Sequence, residues 1–205
     1  MTIMKVEVEG LGDVKITDKA IDAIVLNMVY ETSYLSNDPR TKIGAMLCDL
    51  DLLKRPLGGQ IIGGIYGWNH LFEAYRDEEK KEKLKDRAYK HKKITHAEDH
   101  AISQANKFYN EGLGISPSKM GLWVLDVPCN GCSDKIIKAK IPRVVTHLPY
   151  ALLHVDEEYN SLKKKKQNIQ KMQNEGIQVL FYPLDVGQKA YMDNQEIDFK
   201  ALFSH

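Results

Sequence analysis

Four residues carry the chemical interest of this 205-residue sequence. His96 and Glu98 stand two apart in "THAEDHAISQA" (95–105), and Cys129 and Cys132 form a C-x-x-C directly after Pro128. Imidazole and thiolate are donors that zinc prefers, and a catalytic zinc site uses three protein ligands and keeps a fourth position for water. His96, Cys129 and Cys132 meet that requirement if the fold brings them together. A carboxylate beside such a site can take a proton from water and return it to a substrate, which is the role open to Glu98. The C-x-x-C taken alone has a second reading, a redox pair, and an isolated H-x-E is common by chance.

The elements around these residues follow from periodicity. Ala97, Ala101 and Ala105, with Ile102 and Phe108 beside them, predict a helix with a small-residue face that starts near His96. "GLWVLDV" (121–127) reads as a strand ended by Pro128, and a short helix over 133–140 follows the cysteines. Each candidate ligand therefore falls at a helix N-terminus, where the dipole stabilises thiolate. Further strands are expected at 43–48, 60–66, 143–147 and 177–182. Helices are expected over 17–35, with Ala20, Ile21, Ile24, Met28 and Leu35 at helical spacing and Thr17 or Asp18 able to cap the first turn, and over roughly 156–175. The run Lys163 to Lys166 reads as a solvated face, and the charged stretch 73–93 as a solvated helix or loop. The first two strands suit an antiparallel hairpin, and the last three alternate with helices, as parallel strands do.

One domain over 1–205 accommodates this order, with a core at about 17–182, an N-terminal extension (1–16) and a C-terminal tail (183–205). A formal net charge of +1 gives no field to draw a nucleic acid backbone, so a polynucleotide partner is disfavoured. No signal-like or membrane-spanning apolar run occurs, which leads us to expect a cytoplasmic protein with no membrane partner. Three cysteines are too few for a disulfide framework, and Cys48 reads as a buried small hydrophobe.

H-x-E followed by P-C-x-x-C is the known signature of zinc-dependent nucleobase deaminases. Beyond it, the sequence resembles the deoxycytidylate (dCMP) deaminases of the cytidine deaminase superfamily. "SNDPRTKIGAML" (36–47) is similar to S-x-D-P-x-T-x-V-G-A-x-I, "HAEDHAI" (96–102) to H-A-E-x-N-A-I, and "PCNGCSDKIIKAKIPRVV" (128–145) to P-C-N-x-C-A-K-x-I-I-Q-x-G-I-x-x-V. "EIDF" (196–199) is similar to the family's end. The resemblance implies a three-layer α/β/α fold with a central, mixed, five-stranded sheet. It implies hydrolysis of dCMP to dUMP and ammonia, feeding thymidylate synthesis, with one zinc ion on His96, Cys129 and Cys132 and with Glu98 as proton carrier. It also implies a homo-oligomer, of which a hexamer is one form.

The same resemblance assigns substrate contacts to Asn69, Ala97 and Tyr150. Asn69 lies in "GWNHLF" (67–72), similar to G-Y-N-G-x-P, while Arg40 and Lys42 are cations suited to a 5′-phosphate. In family members the G-Y-N-G-x-P motif borders the site where dCTP activates and dTTP inhibits. Here His70 and Phe72 replace glycine and proline, so the pattern for those effectors is incomplete. His100 replaces the asparagine of H-A-E-x-N. A second metal at these histidines, or Mg2+ with a nucleotide effector, has no support of its own. The departures leave two alternatives open: another or modified cytosine nucleotide or nucleoside as substrate, or a non-catalytic zinc-binding regulatory protein.

Overall fold

A computed structural model of the chain describes residues 4–51, 53, 64–71, 93–155, 161–192 and 195–199. Phe72, most of the charged stretch 73–93, the start of the expected strand at 60–66 and the start of the expected helix at 156 lie outside them. The strands of the main sheet are β1 (Met4–Val8), β2 (Gly12–Ile16), β3 (Gly44–Asp49), β4 (Gly64–Trp68), β7 (Met120–Val124), β8 (Arg143–His147) and β9 (Gln178–Tyr182). Two short strands, β5 (His70–Leu71) and β6 (Ile94–Thr95), pair with each other. The helices are α1 (Ala20–Ser33), α2 (Ala97–Asn110), α3 (Asn130–Lys138), α4 (Leu148–Leu153) and α5 (Leu162–Asn174). A small hairpin, β10 (Lys189–Met192) and β11 (Gln195–Asp198), closes the described chain.

The main sheet runs β1-β2-β9-β8-β7-β3-β4. β7, β8 and β9 are parallel, and β3 is antiparallel to both β4 and β7, as the alternation of elements requires. Adjacent strand residues go to opposite faces. Leu47, Leu122, Val144 and Val179 join one core cluster, while Met46, Trp123, Val145 and Leu180 join the other. α2, α3 and α5 cover the first face and α1 the second, which makes the three-layer α/β/α arrangement expected of a cytidine deaminase-like fold. Among the described residues no helix is long and apolar enough to cross a membrane.

Three expectations need correction. The sheet has seven strands rather than five, because residues 4–16 form a hairpin whose second strand pairs parallel to β9. The alternation in "MKVEVEGLGDVKI" encodes that hairpin, and Gly10 and Gly12 supply the positive φ of 78° and 76° that its turn needs. The C-terminal segment, expected to lie outside the core, reaches it among its described residues: Phe199 is fully buried against the rings of His147, Tyr30 and Tyr150, at centroid distances of 5.2, 6.0 and 6.5 Å. α1 is rotated from the expected face. Val25, Leu26, Val29 and Tyr30 are buried, whereas Ile24 and Leu35 are 41% and 62% exposed.

Asp22 explains the rotation. It is fully buried on α1, where Arg143 Nη2 donates to both its oxygens (2.6 and 2.8 Å) and Trp123 Nε1 donates to Oδ1 (3.0 Å). Thr17 gives its hydroxyl hydrogen to Asp22 too, so the N-cap position falls to Lys19, which makes no side-chain cap. A carboxylate is tolerated inside only with such partners, and none of them adjoins it in sequence.

A second buried polar pair predicts an acid-sensitive fold. His147 Nδ1 accepts from the Tyr30 hydroxyl at 2.6 Å and Nε2–H donates to the Leu184 carbonyl at 2.9 Å, the pattern of a neutral ring. Burial lowers its pKa from 6.5 to about 4. The unfolded chain therefore binds the extra proton first on acidification. This group's contribution is complete above pH 6.5 and is lost as pH falls toward 4. Urea midpoints should fall over that window, and the fall should be shallower in His147→Asn.

Candidate metal and deaminase site

Backbone geometry places the candidate ligands. β6 pairs with β5 in the register His70–Thr95, which pins the chain beside the end of β4 immediately before His96. His96 is then the N-cap of α2, with extended backbone (φ −74°, ψ 152°), and Cys129 is the N-cap of α3 (φ −65°, ψ 171°). Neither uses its side chain to cap its helix, so both side chains remain directed elsewhere. α2 lies very close to β4: a Cβ on Gly67 would stand 2.2 Å from the Ala97 carbonyl oxygen and 2.6 Å from the Ala101 nitrogen. Ala97, Ala101 and Ala105 are fully buried along that face, which the small-residue spacing anticipated.

The structure brings His96, Cys129 and Cys132 together, one donor atom from each lying within 4.8 Å of the others. Cys129 Sγ is 3.8 Å from His96 Nδ1. A redox pair needs no third donor, whereas an imidazole converging on two thiols is a zinc donor set. The protonation pattern fits it. Hydrogen bonding from Cys132, then from His96, brings the Cys129 thiol down to about 4 against the penalty of burial. The Cys132 thiol, which holds the shared proton, is pushed up. The hydrogen bond to Cys129 lifts His96 to about 9. A metal replaces these protons with one cation, since it binds thiolate and neutral imidazole.

Glu98 sits on the first turn of α2 with 5% of its surface exposed. Burial is the main cause of a pKa raised to about 7.

The remaining expected contacts are distributed differently. Asn69 is buried, and its amide locks the 36–43 loop: Nδ2 donates to Thr41 O (2.7 Å) and Asp38 Oδ2 (3.1 Å), and Oδ1 accepts from Ile43 N (2.7 Å). Both amide hydrogens are thus committed within the protein. Asp38 also accepts from the Arg40 and Thr41 backbone, closing the turn in which half-buried Arg40 stands. The Lys42 ammonium lies over the Tyr34 and Tyr191 rings, at 5.9 and 5.6 Å from their centroids. Tyr150 is fully buried in the core cluster that α1 covers. His100, one turn beyond His96, packs edge-on against Trp68 (4.5 Å) and His70 (4.6 Å), and burial lowers its pKa.

Asp126 and His154, which the sequence reading did not single out, meet Lys165, which it placed on a solvated face, beside the segment that leads to Cys129. The available signal was Asp126 itself, a carboxylate three residues before the first cysteine of the motif.

No curated protein sequence matches the chain. In fold it is similar to the dCMP deaminase of cyanophage S-TIM5 in complex with dCMP and dUMP, with 18% identity and a TM-score of 0.51 over 80% of this chain and 98% of that one. The apo form of the same enzyme gives 18% identity and a TM-score of 0.49, covering 80% and 99%. The Aspergillus oryzae Rib2 deaminase, a C-terminal deletion mutant, gives 16% and 0.46, covering 80% and 85%. The MafB19-like deaminase family model matches residues 5–182, which span both motifs and every strand of the main sheet except the first residue of β1. By that match, with its two motifs folded onto one set of donors, the chain belongs to the MafB19-like deaminase family.

Proposed function

We propose that the chain is a zinc-dependent deaminase that hydrolyses dCMP to dUMP and ammonia. The observation that carries this reading is the convergence of His96, Cys129 and Cys132, with the buried Glu98 carboxyl on the helical turn that His96 caps. His96, Cys129 and Cys132 would hold the zinc. When bound there, zinc supplies a Lewis acid that brings the pKa of water down to about 7. Glu98 carries the protons: its carboxylate takes one from the attacking water and gives it to N3 of the cytosine ring, then takes the proton of the C4 hydroxyl and gives it to the amine on C4. Water oxygen is added at C4, the C4–N4 bond breaks, and ammonia leaves behind a uracil carbonyl. Ala97, buried beneath the site, keeps the first turn of α2 against β4 and so fixes Glu98. The relative with dCMP and dUMP bound supports the choice of substrate.

A second reading keeps the chemistry and changes the nucleotide. It is favoured by the Trp68–His100–His70 cluster, which puts bulky rings where the dCMP deaminase pattern has asparagine and glycine. Ammonia release measured across dCMP, CMP, deoxycytidine and dCTP, with zinc content determined alongside, separates the two. Turnover of dCMP by protein holding about one zinc per chain is the expected result. Zinc-loaded protein that ignores dCMP and deaminates another cytosine compound would sink the substrate assignment. Deamination with no bound metal would sink the zinc centre.

A further inference from the structure

Lys165 breaks the pattern of its surroundings. It is the third of four consecutive lysines expected to face solvent, and the other three do, yet it is 1% exposed. Its ammonium donates to Asp126 Oδ1 at 2.6 Å and to the carbonyls of Ala151 and His154, each at 2.7 Å. Three N–H donors meet three acceptors, which a buried ammonium needs if it is to stay charged. Asp126 also accepts from His154 Nδ1 at 2.6 Å and from the Val127 backbone N–H at 2.7 Å. Burial alone would push the Asp126 carboxyl up, but the ammonium and the imidazole overcome it and hold the carboxyl below its ordinary range.

What these residues are attached to gives the group its interest. Asp126 lies in the segment 125–128, which leads from β7 to Cys129. Ala151 belongs to α4 and His154 directly follows it, and α4 continues from the end of β8. One ammonium from α5 therefore joins the exits of two adjacent parallel strands, the end of a parallel sheet at which α/β proteins bind ligands. Thr146 Oγ1 donates to the Leu125 carbonyl at 3.1 Å and adds a second tie between the same exits.

We infer that Lys165 is a positioning residue for the metal loop: acting through Asp126, it fixes segment 125–129 against the α4 turn and so sets Cys129 opposite His96. This rests on the zinc reading above. Outer partners that orient metal ligands typically contribute 10- to 100-fold in metal affinity, by restricting the ligand to its bound geometry before the metal arrives.

The test compares wild type with Lys165→Met, Asp126→Asn and the double variant. Zinc affinity is measured by competition with a chromophoric chelator, and ligand geometry by the visible spectrum of the Co2+-substituted protein. Lys165→Met should bind zinc about 10- to 100-fold more weakly and shift the cobalt bands. The double variant should bind no more weakly than the weaker single one, because both remove the same constraint. It also removes both charges together, so it folds even where one unpaired buried charge prevents folding. Affinities within twofold of wild type and unchanged cobalt bands, whatever happens to Tm, would overturn the inference alone. Additive losses in the double variant would overturn the route through Asp126. Wild-type protein that takes up no zinc overturns the metal reading and this inference together.

Discussion

Glu98→Gln protein is expected to bind zinc as wild type does and to turn over dCMP about 100- to 10,000-fold more slowly, the range that a positioned acid–base group contributes. The substitution keeps the shape of a side chain that is 5% exposed, so the first turn of α2 has no reason to move. What it removes is the ability to take a proton and give it back. The three converging donors do not include Glu98, so metal content is left as an internal control. Zinc measured on the same preparation that is assayed for ammonia release makes the comparison. Near-normal turnover by Glu98→Gln would remove Glu98 from the mechanism, and loss of zinc would show that the carboxylate serves the metal instead.

Gly67→Ala is expected to cost about 3 kcal/mol of stability and about 100-fold in activity, although residue 67 carries no functional group. A Cβ there would stand 2.2 Å from the Ala97 carbonyl and 2.6 Å from the Ala101 nitrogen. Both are backbone atoms of α2, and neither can rotate away as a side-chain tip would. The start of α2 must then lift from β4, and His96 and Glu98 ride on that start. Displacing reacting groups by about 1 Å is enough for a loss of this size. Thermal unfolding reads the stability, and zinc affinity with kcat reads the displacement. A variant with unchanged Tm and kcat would show that α2 and β4 can separate at no cost.

The candidate donors were legible because they are local in sequence. His96 and Glu98 lie within one helical turn, and Cys129 and Cys132 on another, so residue type and spacing name them together. The alternation of strands and helices likewise gave the parallel run β7, β8, β9 and the antiparallel β3–β4 pair. Substrate contacts were less legible. An amide such as Asn69 has the same donors and acceptor whether it meets a ligand or a loop, and here both its hydrogens are taken by Thr41 and Asp38. Lys42, chosen for its charge, faces two tyrosine rings, one of them from the C-terminal hairpin.

By itself the sequence named His96, Cys129 and Cys132 as donors that could hold a metal and Glu98 as the carboxyl proposed to move a proton, because donor chemistry belongs to residue type. Periodicity also set out α1, β3, β4, α2, β7, α3, β8, α5 and β9 in order, but not the β1–β2 hairpin, the short strands β5 and β6, helix α4 or the β10–β11 hairpin. Only the tertiary structure decided which polar residues are buried and what neutralises them. Asp22 is satisfied from residues 17, 123 and 143, and Lys165 from residues 126, 151 and 154. A buried charge is stable only beside partners that the fold assembles from distant segments, so a lysine run reads as solvated surface until the chain has folded.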